Sequence, residues 1–233
     1  EVLKEAQDKG YAERNPEADV EGYDACRKIA ILSSLAFGRS VNYEEVYTEG
    51  ITKITAADIK YANAMGTSIK LLATSRKEGE EFYAMVSPVM IDGSSPLFSV
   101  NGVFNAIFVH GNVLGDAMFY GSGAGKLPTA SAVVADVVDE AKHLNRNIMM
   151  HWSSKKLELM DISQVKGRFF VRVQGTPEEK ESKVKELFGE AQIWQLADMP
   201  EEFAFVTPVM TEAQYKEKAG QLDGIISMIR ARI

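Results

Sequence analysis

The sequence is poor in the residues and runs that mark several protein classes. It has one cysteine, Cys26, among 233 residues, which excludes an intrachain disulfide and a cysteine-rich zinc site. No apolar run reaches the roughly 18 residues needed to cross a bilayer. Basic residues are also in deficit, with 26 Lys and Arg against 33 Asp and Glu and a net charge of −7. That balance disfavours a nucleic-acid partner, so we expect a cytoplasmic protein with neither a membrane nor a nucleic acid as partner.

Histidine is also scarce. His110, His143 and His151 show no metal-ligand spacing with each other or with Cys26, so no metal site is predicted. The remaining composition, 45% hydrophobic and 25% charged, is typical of a globular protein with one large domain or two ordinary ones. The first nine residues, E-V-L-K-E-A-Q-D-K, have the pattern of the interior of a helix and not of its beginning. We therefore expect the chain to be a piece of a longer protein.

The first two thirds of the chain alternate between helix-like and strand-like patterns. Helices are predicted over residues 24–37 and 55–65, the second opened by the capping box Thr55-Ala-Ala-Asp58. Strand-like runs follow at residues 68–75, 82–91, 102–110 and 115–120, separated by short turn-forming segments. Short connections favour antiparallel neighbours. The pattern predicts an α+β fold, a mixed but mostly antiparallel sheet covered by helices, whose other face is either solvated or paired with a second copy.

A different pattern begins at residue 167, after a predicted linker at residues 146–166. Strands are predicted at residues 168–174, 191–196, 203–210 and 225–233, and helices at residues 176–188 and 211–222. Thr176-Pro177 followed by acidic residues is a good helix start. The order is βαββαβ, which predicts a small ferredoxin-like module.

Four ionisable residues near the start form the strongest candidate for chemistry. Glu13, Asp19, Asp24 and Lys28 gather where a loop enters the apolar run at residues 29–37. Asp24 and Lys28, four positions apart, would share a helix face. Since the apolar residues are consecutive, we expect the helix to be buried on nearly every side and Lys28 to be partly desolvated. Desolvation would lower the pKa of Lys28 toward neutrality, so that it could take part in proton transfer. The alternative is a solvated surface pair worth a few tenths of a kcal/mol.

The second candidate is the glycine-rich stretch G-S-G-A-G-K-L-P-T at residues 121–129, between a strand and a helical run at residues 130–143. Such a loop can bring backbone N–H groups against an anion. It is not a Walker A loop, because Tyr120 and Leu127 stand where glycine and Ser or Thr are required, and its third glycine, Gly125, comes one residue too early for G-x-G-x-x-G. Taken alone, the pattern fits a tight turn equally well.

Both stretches resemble signatures of one enzyme family. G-Y-x-E, an Asp six residues after that Glu, and G-x-D-A-x-x-K resemble the catalytic signature of homoserine dehydrogenases. G-x-G-A-G-x-L-P-T-A-S-A-V-x-x-D resembles their second signature. The resemblance covers residues 1–145 and implies the substrate-binding and dimerisation domain of that family. It implies interconversion of L-homoserine and L-aspartate 4-semialdehyde with NAD or NADP, in threonine, methionine and isoleucine biosynthesis.

The resemblance also implies residue roles. Lys28 would be the acid/base residue of catalysis. Three carboxylates would contact the substrate: Glu13, Asp24 and Asp19. Two glycines would contact the cofactor: Gly10 and Gly123.

One part that hydride transfer needs is missing from the sequence. No strand followed by G-x-G-x-x-G and a helix occurs in it. In the family, that nucleotide-binding half precedes the position of Glu1 and also supplies a second lysine and a sodium site. We therefore expect this chain alone neither to bind NAD(P) tightly nor to turn over homoserine.

By position and order, residues 167–233 resemble an ACT domain, the module that binds L-threonine in many homoserine dehydrogenases. The usual D-x-P-G after the first strand is replaced by Gly175-Thr-Pro-Glu178, so a module that only dimerises is the alternative to an effector site. A homodimer or higher homo-oligomer is expected. The alternative function for the whole chain is a non-catalytic amino-acid-sensing or dimerisation module.

Overall fold

A computed structural model of the protein describes residues 2–8, 10, 14–149 and 152–233. They fall into two compact units, one made of Glu1–Pro16 with Gly93–His151 and the other of Glu17–Asp92 with Trp152–Ile233, each apart from the undescribed positions. Over these described ranges, no helix is both long and apolar enough to cross a bilayer.

Helices and strands follow each other along the described chain much as the sequence predicts. The helices are α1 (Val2–Asp8), α2 (Glu17–Val20), α3 (Tyr23–Phe37), α4 (Ala56–Ala64), α5 (Lys126–Lys142), α6 (Pro177–Phe188) and α7 (Glu212–Ala219). The strands are β1 (Arg39–Ser40), β2 (Tyr47–Thr48), β3 (Ser68–Glu78), β4 (Glu81–Ile91), β5 (Phe104–Gly111), β6 (Gly115–Ser122), β7 (Ser153–Lys156), β8 (Lys166–Gln174), β9 (Gln192–Trp194), β10 (Glu202–Val206), β11 (Met210–Thr211) and β12 (Ile225–Arg232).

The unit with Gly93–His151 contains α1, the antiparallel hairpin β5–β6 and α5. The predicted nine-residue glycine-rich loop is shorter in the structure, because β6 ends at Ser122 and α5 begins at Lys126. Pro128 does not prevent this early start, since the first N–H groups of a helix have no partner within it. Gly125, with φ of 116°, occupies a conformation that favours glycine and turns the chain into α5.

The other unit is built on an eight-stranded sheet in the order β2-β4-β12-β8-β10-β9, with β3 also paired to β4 and β11 to β8. β4 runs parallel to β2 and β12, while every other pair in this sheet is antiparallel. The predicted α+β class with a mixed, mostly antiparallel sheet is confirmed. A separate parallel pair joins β1 and β7.

The last part of the chain has the predicted βαββαβ order, with the short strand β11 added before α7. Both faces of its sheet are covered. Successive strand residues point to opposite faces, so neighbouring side chains pack against different helices. Phe169 packs in the cluster that contains side chains of α6 and α7, such as Phe188 and Tyr215. Its neighbour Phe170 packs on the opposite face, against Tyr61 of α4.

The sheet is continuous across the predicted linker. β12, the last strand, pairs with β4 through Arg230↔Val89, Ala231↔Met90 and Arg232↔Ile91. Within residues 146–166, β7 is a strand and Leu157 is buried. Packing alone therefore does not divide the chain at this linker, and the functional division into residues 1–145 and 167–233 stays a prediction.

A buried ionic cluster fixes α4 on this sheet. The guanidinium of Arg172 on β8 donates to both carboxylate oxygens of Glu202, at 3.1 and 2.9 Å, and to Asp58 Oδ1 at 2.8 Å. Asp58 is fully buried and also accepts from Ser227 and from the backbone and hydroxyl of Thr55, completing the predicted capping box. Burial alone would raise the pKa of Asp58, but the hydrogen bonds from Thr55, Ser227 and Arg172 outweigh it and lower that pKa.

Candidate active site

The candidate site begins at the turn between α2 and α3. Gly22 precedes α3 with φ of 78°, and its amide donates to the Asp19 carbonyl at 3.2 Å. A Cβ added to this buried glycine would lie 3.0 Å from Cγ1 of Val86 on β4. The conformation and the close approach both require glycine here. This turn places Asp24 in the first turn of α3 and Lys28 one turn later.

The structure brings Asp24 and Lys28 together. Lys28 Nζ lies 2.6 Å from Asp24 Oδ2, and 69% and 47% of their respective side chains are exposed. The predicted contact is therefore confirmed, whereas the expected desolvation of Lys28 is wrong for the chain as described. A carboxylate at this distance holds the ammonium in one orientation.

The expectation that α3 is buried on nearly every side is also wrong. Its buried positions past Lys28 are Ala30, Ser33 and Ser34, while Ile31 and Leu35 are exposed. Two serines tolerate burial because their hydroxyls donate to the carbonyls four residues earlier, at 2.6 and 2.8 Å. The buried stripe is thus narrower than the apolar run in the sequence.

The other residues of the first signature are less fully placed. Glu13 lies outside the described residues, so its substrate role stays a prediction. Asp19 is exposed on α2, three residues before Gly22. Its role as a further site carboxylate also stays a prediction.

The two predicted cofactor glycines lie in the unit that carries α5. Gly10, with φ of 71°, forms a turn in which its amide donates to the Gln7 carbonyl at 3.0 Å, and nothing lies within 4 Å of where a Cβ would be. A Cβ on Gly123 would lie 1.9 Å from the Nδ2 atom of Asn105. Gly10 therefore presents bare backbone, as the close approach of a flat ring requires, whereas the space beside Gly123 is filled by the side chain of Asn105. Their assignment to a cofactor stays a prediction.

The sequence did not reveal a second ionic cluster, beside the start of α3. Arg230 on β12 donates to Glu49 Oε2 at 2.7 Å and to Glu212 Oε1 at 2.5 Å. The guanidinium also lies 4.8 Å from the ring centre of Tyr47. Burial alone would lower the pKa of Arg230, but Glu212 and Glu49 outweigh it and raise that pKa. Its only sequence signal is that arginines stand in the largely apolar strand pattern I-I-S-M-I-R-A-R, because Glu49 is 181 positions away.

A small cleft lies at the same place. Its volume is about 210 Å³, and Glu21, Tyr23 and Glu49 are among the residues that line it. The described ranges contain no group of three or more His, Cys, Asp or Glu that could hold a metal ion.

Comparison with known proteins gives one consistent family. A family model described as homoserine dehydrogenase matches residues 1–138. The homoserine dehydrogenase of Neisseria gonorrhoeae is 42% identical over 186 residues, which cover 76% of this chain and 43% of that protein. The homoserine dehydrogenase of Synechocystis is 52% identical over 143 residues, which cover 60% of this chain and 33% of that protein.

Solved structures agree over nearly the whole chain. The homoserine dehydrogenase from Thiobacillus denitrificans matches with a TM-score of 0.84 and 30% identity, covering 99% of this chain and 57% of that chain. The S. aureus homoserine dehydrogenase at pH 6.0 matches with a TM-score of 0.78 and 31% identity, covering 100% of this chain and 59% of that chain. The chain therefore spans less than half the length of the two curated relatives and somewhat more than half of the solved chains.

Proposed function

The chain belongs to the homoserine dehydrogenase family, and from this membership we propose that it carries the substrate-binding part of an enzyme that interconverts L-homoserine and L-aspartate 4-semialdehyde with NAD or NADP. The observation that carries the proposal is the contact of Asp24 with Lys28, at 2.6 Å, within the family's first signature. The reaction belongs to threonine, methionine and isoleucine biosynthesis. We expect it to take place in the cytoplasm.

In the oxidising direction, the hydroxyl group of homoserine loses its proton to Nζ of Lys28, which must be neutral to accept it. A hydride leaves the same carbon, so that a C–H and an O–H bond break while a C=O double bond forms. When bound, NAD(P)⁺ supplies the hydride acceptor. Asp24, which already contacts Nζ, keeps Lys28 oriented and, with Glu13, holds the substrate ammonium group. In the reducing direction, the charged Lys28 returns the proton to the alkoxide oxygen.

The remaining roles follow from the family signatures. Asp19 supplies a further carboxylate of the site, and the backbone at Gly10 and Gly123 contacts the nicotinamide part of the cofactor. Such a backbone approach needs glycine, and the space beside Gly10 is open. The sodium site and the dinucleotide phosphates belong, in this proposal, to the nucleotide-binding half of the complete enzyme, which we expect to be a homodimer or a higher homo-oligomer.

The isolated chain should show no measurable turnover of homoserine and no tight binding of NAD(P). Two observations support this expectation. The sequence has no strand followed by G-x-G-x-x-G and a helix, and α5 leaves apolar side chains such as Val133, Val134 and Val137 exposed, which indicates a missing partner surface. Steady-state assay of the purified chain by cofactor absorbance, beside a complete enzyme as control, tests the expectation. Turnover above the protein-free blank would show it to be wrong.

For residues 167–233 we propose an ACT-type regulatory module that binds L-threonine. The βαββαβ order supports it, although Gly175-Thr-Pro-Glu178 departs from the usual D-x-P-G. Isothermal titration of L-threonine into the protein should release heat at millimolar ligand, and D-threonine, the mirror-image control, should not. Equal traces for the two ligands would instead favour a module that only dimerises.

A non-catalytic amino-acid-sensing or dimerisation module is the second candidate function. The βαββαβ order at the C-terminal end of the chain is the observation that favours it. Substitution of Lys28 separates the two candidates, because a sensing or dimerising module does not need a proton-transfer group.

A further inference from the structure

We propose that Glu49 is a positioning residue for Asp24 and Lys28, acting through the contact of Gly50 with the segment that leads into α3. The inference rests on the proposed function, since homoserine oxidation provides its kinetic readout. It extends that function to an acidic residue, just after β2, that touches neither Asp24 nor Lys28 in the contacts described above.

Glu49 is anchored to rigid parts of the sheet. Its Oε2 atom accepts from Arg230 at 2.7 Å and from the Tyr47 hydroxyl at 3.1 Å, and its amide donates to the Val86 carbonyl at 2.9 Å. Arg230 is held in turn by Glu212, whose amide donates to Val165 at 3.1 Å. Strand β4 therefore holds the backbone of Glu49, and β12 holds its carboxylate.

The next residue, Gly50, connects Glu49 to the segment before α3 by direct contact. Gly50 is buried, and a Cβ placed on it would lie 2.3 Å from the Val20 carbonyl oxygen and 2.5 Å from Glu21 Cα. The amide of Ile51 donates to the same Val20 carbonyl at 2.8 Å. The two backbone segments are thus in direct contact, and movement of one requires movement of the other.

The segment after Val20 sets where α3 begins. Gly22 caps the helix in a left-handed conformation and lies against Val86, on the strand that also holds the amide of Glu49. Asp24 comes two residues after this cap, so a shift at Gly22 moves the pair of Asp24 and Lys28 directly. A displacement of about 1 Å in a reacting group can lower a rate by on the order of 100-fold.

The test uses Glu49→Ala in a complete enzyme that carries this sequence. We expect kcat for homoserine to fall by about 10-fold to 100-fold, with KM for the cofactor unchanged, because the contact touches only the substrate half. Glu49→Gln keeps an oxygen that can accept from Arg230 and should recover most of the loss.

Gly50→Ala displaces the backbone of Val20 without altering the ion pair and should lower kcat in the same way. In the double variant, the two effects should be less than multiplicative, because both act through one contact.

Asp58→Asn is the matched control. It weakens the other buried ionic cluster of the sheet, around Arg172, which has no hydrogen bond to residues 20–22. We expect it to lower the unfolding midpoint while leaving kcat within about twofold of the wild-type value. If Glu49→Ala lowers kcat no more than Asp58→Asn does, or if Glu49→Gln recovers nothing, Glu49 has no positioning role.

Amide hydrogen exchange separates this inference from the proposed function. Peptides covering residues 20–30 should exchange faster in Glu49→Ala than in the wild type, while those covering α4 should not, and this measurement needs no turnover. If the wild-type enzyme does not oxidise homoserine, the proposed function fails and the exchange measurement still tests the contact. If the wild type turns over homoserine and exchange at residues 20–30 is unchanged in the variant, only the positioning role fails.

Discussion

Replacing Lys28 by alanine in the complete enzyme lowers kcat for homoserine oxidation by about 10²-fold to 10⁴-fold, the range that positioned acid/base groups supply. The fold should remain intact, because Lys28 and Asp24 form a pair whose side chains are 69% and 47% exposed. Exposed pairs of this kind contribute at most about 1 kcal/mol to the free energy of unfolding. Steady-state kinetics and denaturant unfolding of the same preparation measure the two quantities. The expected combination is a large kinetic loss with almost no loss of stability.

The chain supplies a close control for this experiment. Glu181 and Lys185 on α6 have the same spacing of four residues, a distance of 2.5 Å and exposed fractions of 42% and 58%. Lys185→Ala should therefore change stability as little as Lys28→Ala does, without lowering kcat. Lys28→Arg keeps the positive charge but cannot give up its proton near neutral pH, so it should be as inactive as Lys28→Ala. Unchanged turnover in Lys28→Ala would show that Lys28 is not the proton-transfer group and would favour a non-catalytic role for this chain.

The features that the sequence predicts well are those determined by neighbouring residues. Thr55 and Asp58 form the predicted capping box, and Thr176 and Glu179 form another at the predicted helix start. A cap joins residues three positions apart, so it can be read directly from the sequence. The contact of Asp24 with Lys28 was predicted for the same reason.

The features that the sequence could not predict depend on residues far apart in the chain. The parallel pairing of β4 with β12 brings Val89 beside Arg230 and joins the two predicted domains in one sheet. The sequence of neither strand specifies which strand it pairs with, because any strand of similar composition could bury its apolar side chains in the same place. The exposure of Ile31 and Leu35 was not predicted, because the apolar run does not show which side of α3 faces the sheet, and that side includes Ser33 and Ser34, whose hydroxyls donate within α3 itself.

Asp58 shows how a local and a distant role can coincide. One oxygen, Oδ2, accepts from Thr55 and caps α4, as predicted. The other oxygen, Oδ1, accepts from Arg172 and Ser227, which are more than 100 positions away. The capping residue is therefore also the point at which α4 is fixed to the βαββαβ part of the sheet. Loss of the distant partner Arg172 should therefore lower the free energy of unfolding by much more than loss of a helix cap would.

Arg172→Met lowers the free energy of unfolding by about 3 to 5 kcal/mol, the usual effect of removing one partner of a buried ion pair. Asp58 would keep its charge without the guanidinium that compensates it, in a place with no exposure to solvent. Denaturant unfolding at neutral pH measures the loss. Lys60→Met is the control, because Lys60 lies on the same helix and contacts Asp198 at the same 2.8 Å but with both side chains more than half exposed. Its expected effect is at most about 1 kcal/mol.

Acid pH tests whether the loss comes from the charge of Asp58. The pKa of Asp58 is lower in the folded protein than its ordinary value of 3.8, so its contribution to stability is complete above that value and disappears as the pH falls through the folded pKa. The difference in stability between wild type and Arg172→Met should therefore be largest at neutral pH. It should narrow as the pH falls and Asp58 takes up a proton, first in the variant, where no guanidinium lowers its pKa, and later in the wild type. Adding Asp58→Asn and Glu202→Gln to Arg172→Met removes the unpaired charges and should recover part of the stability at neutral pH. A difference that stays constant with pH, or no recovery in the triple variant, would mean that lost packing rather than uncompensated charge explains the effect.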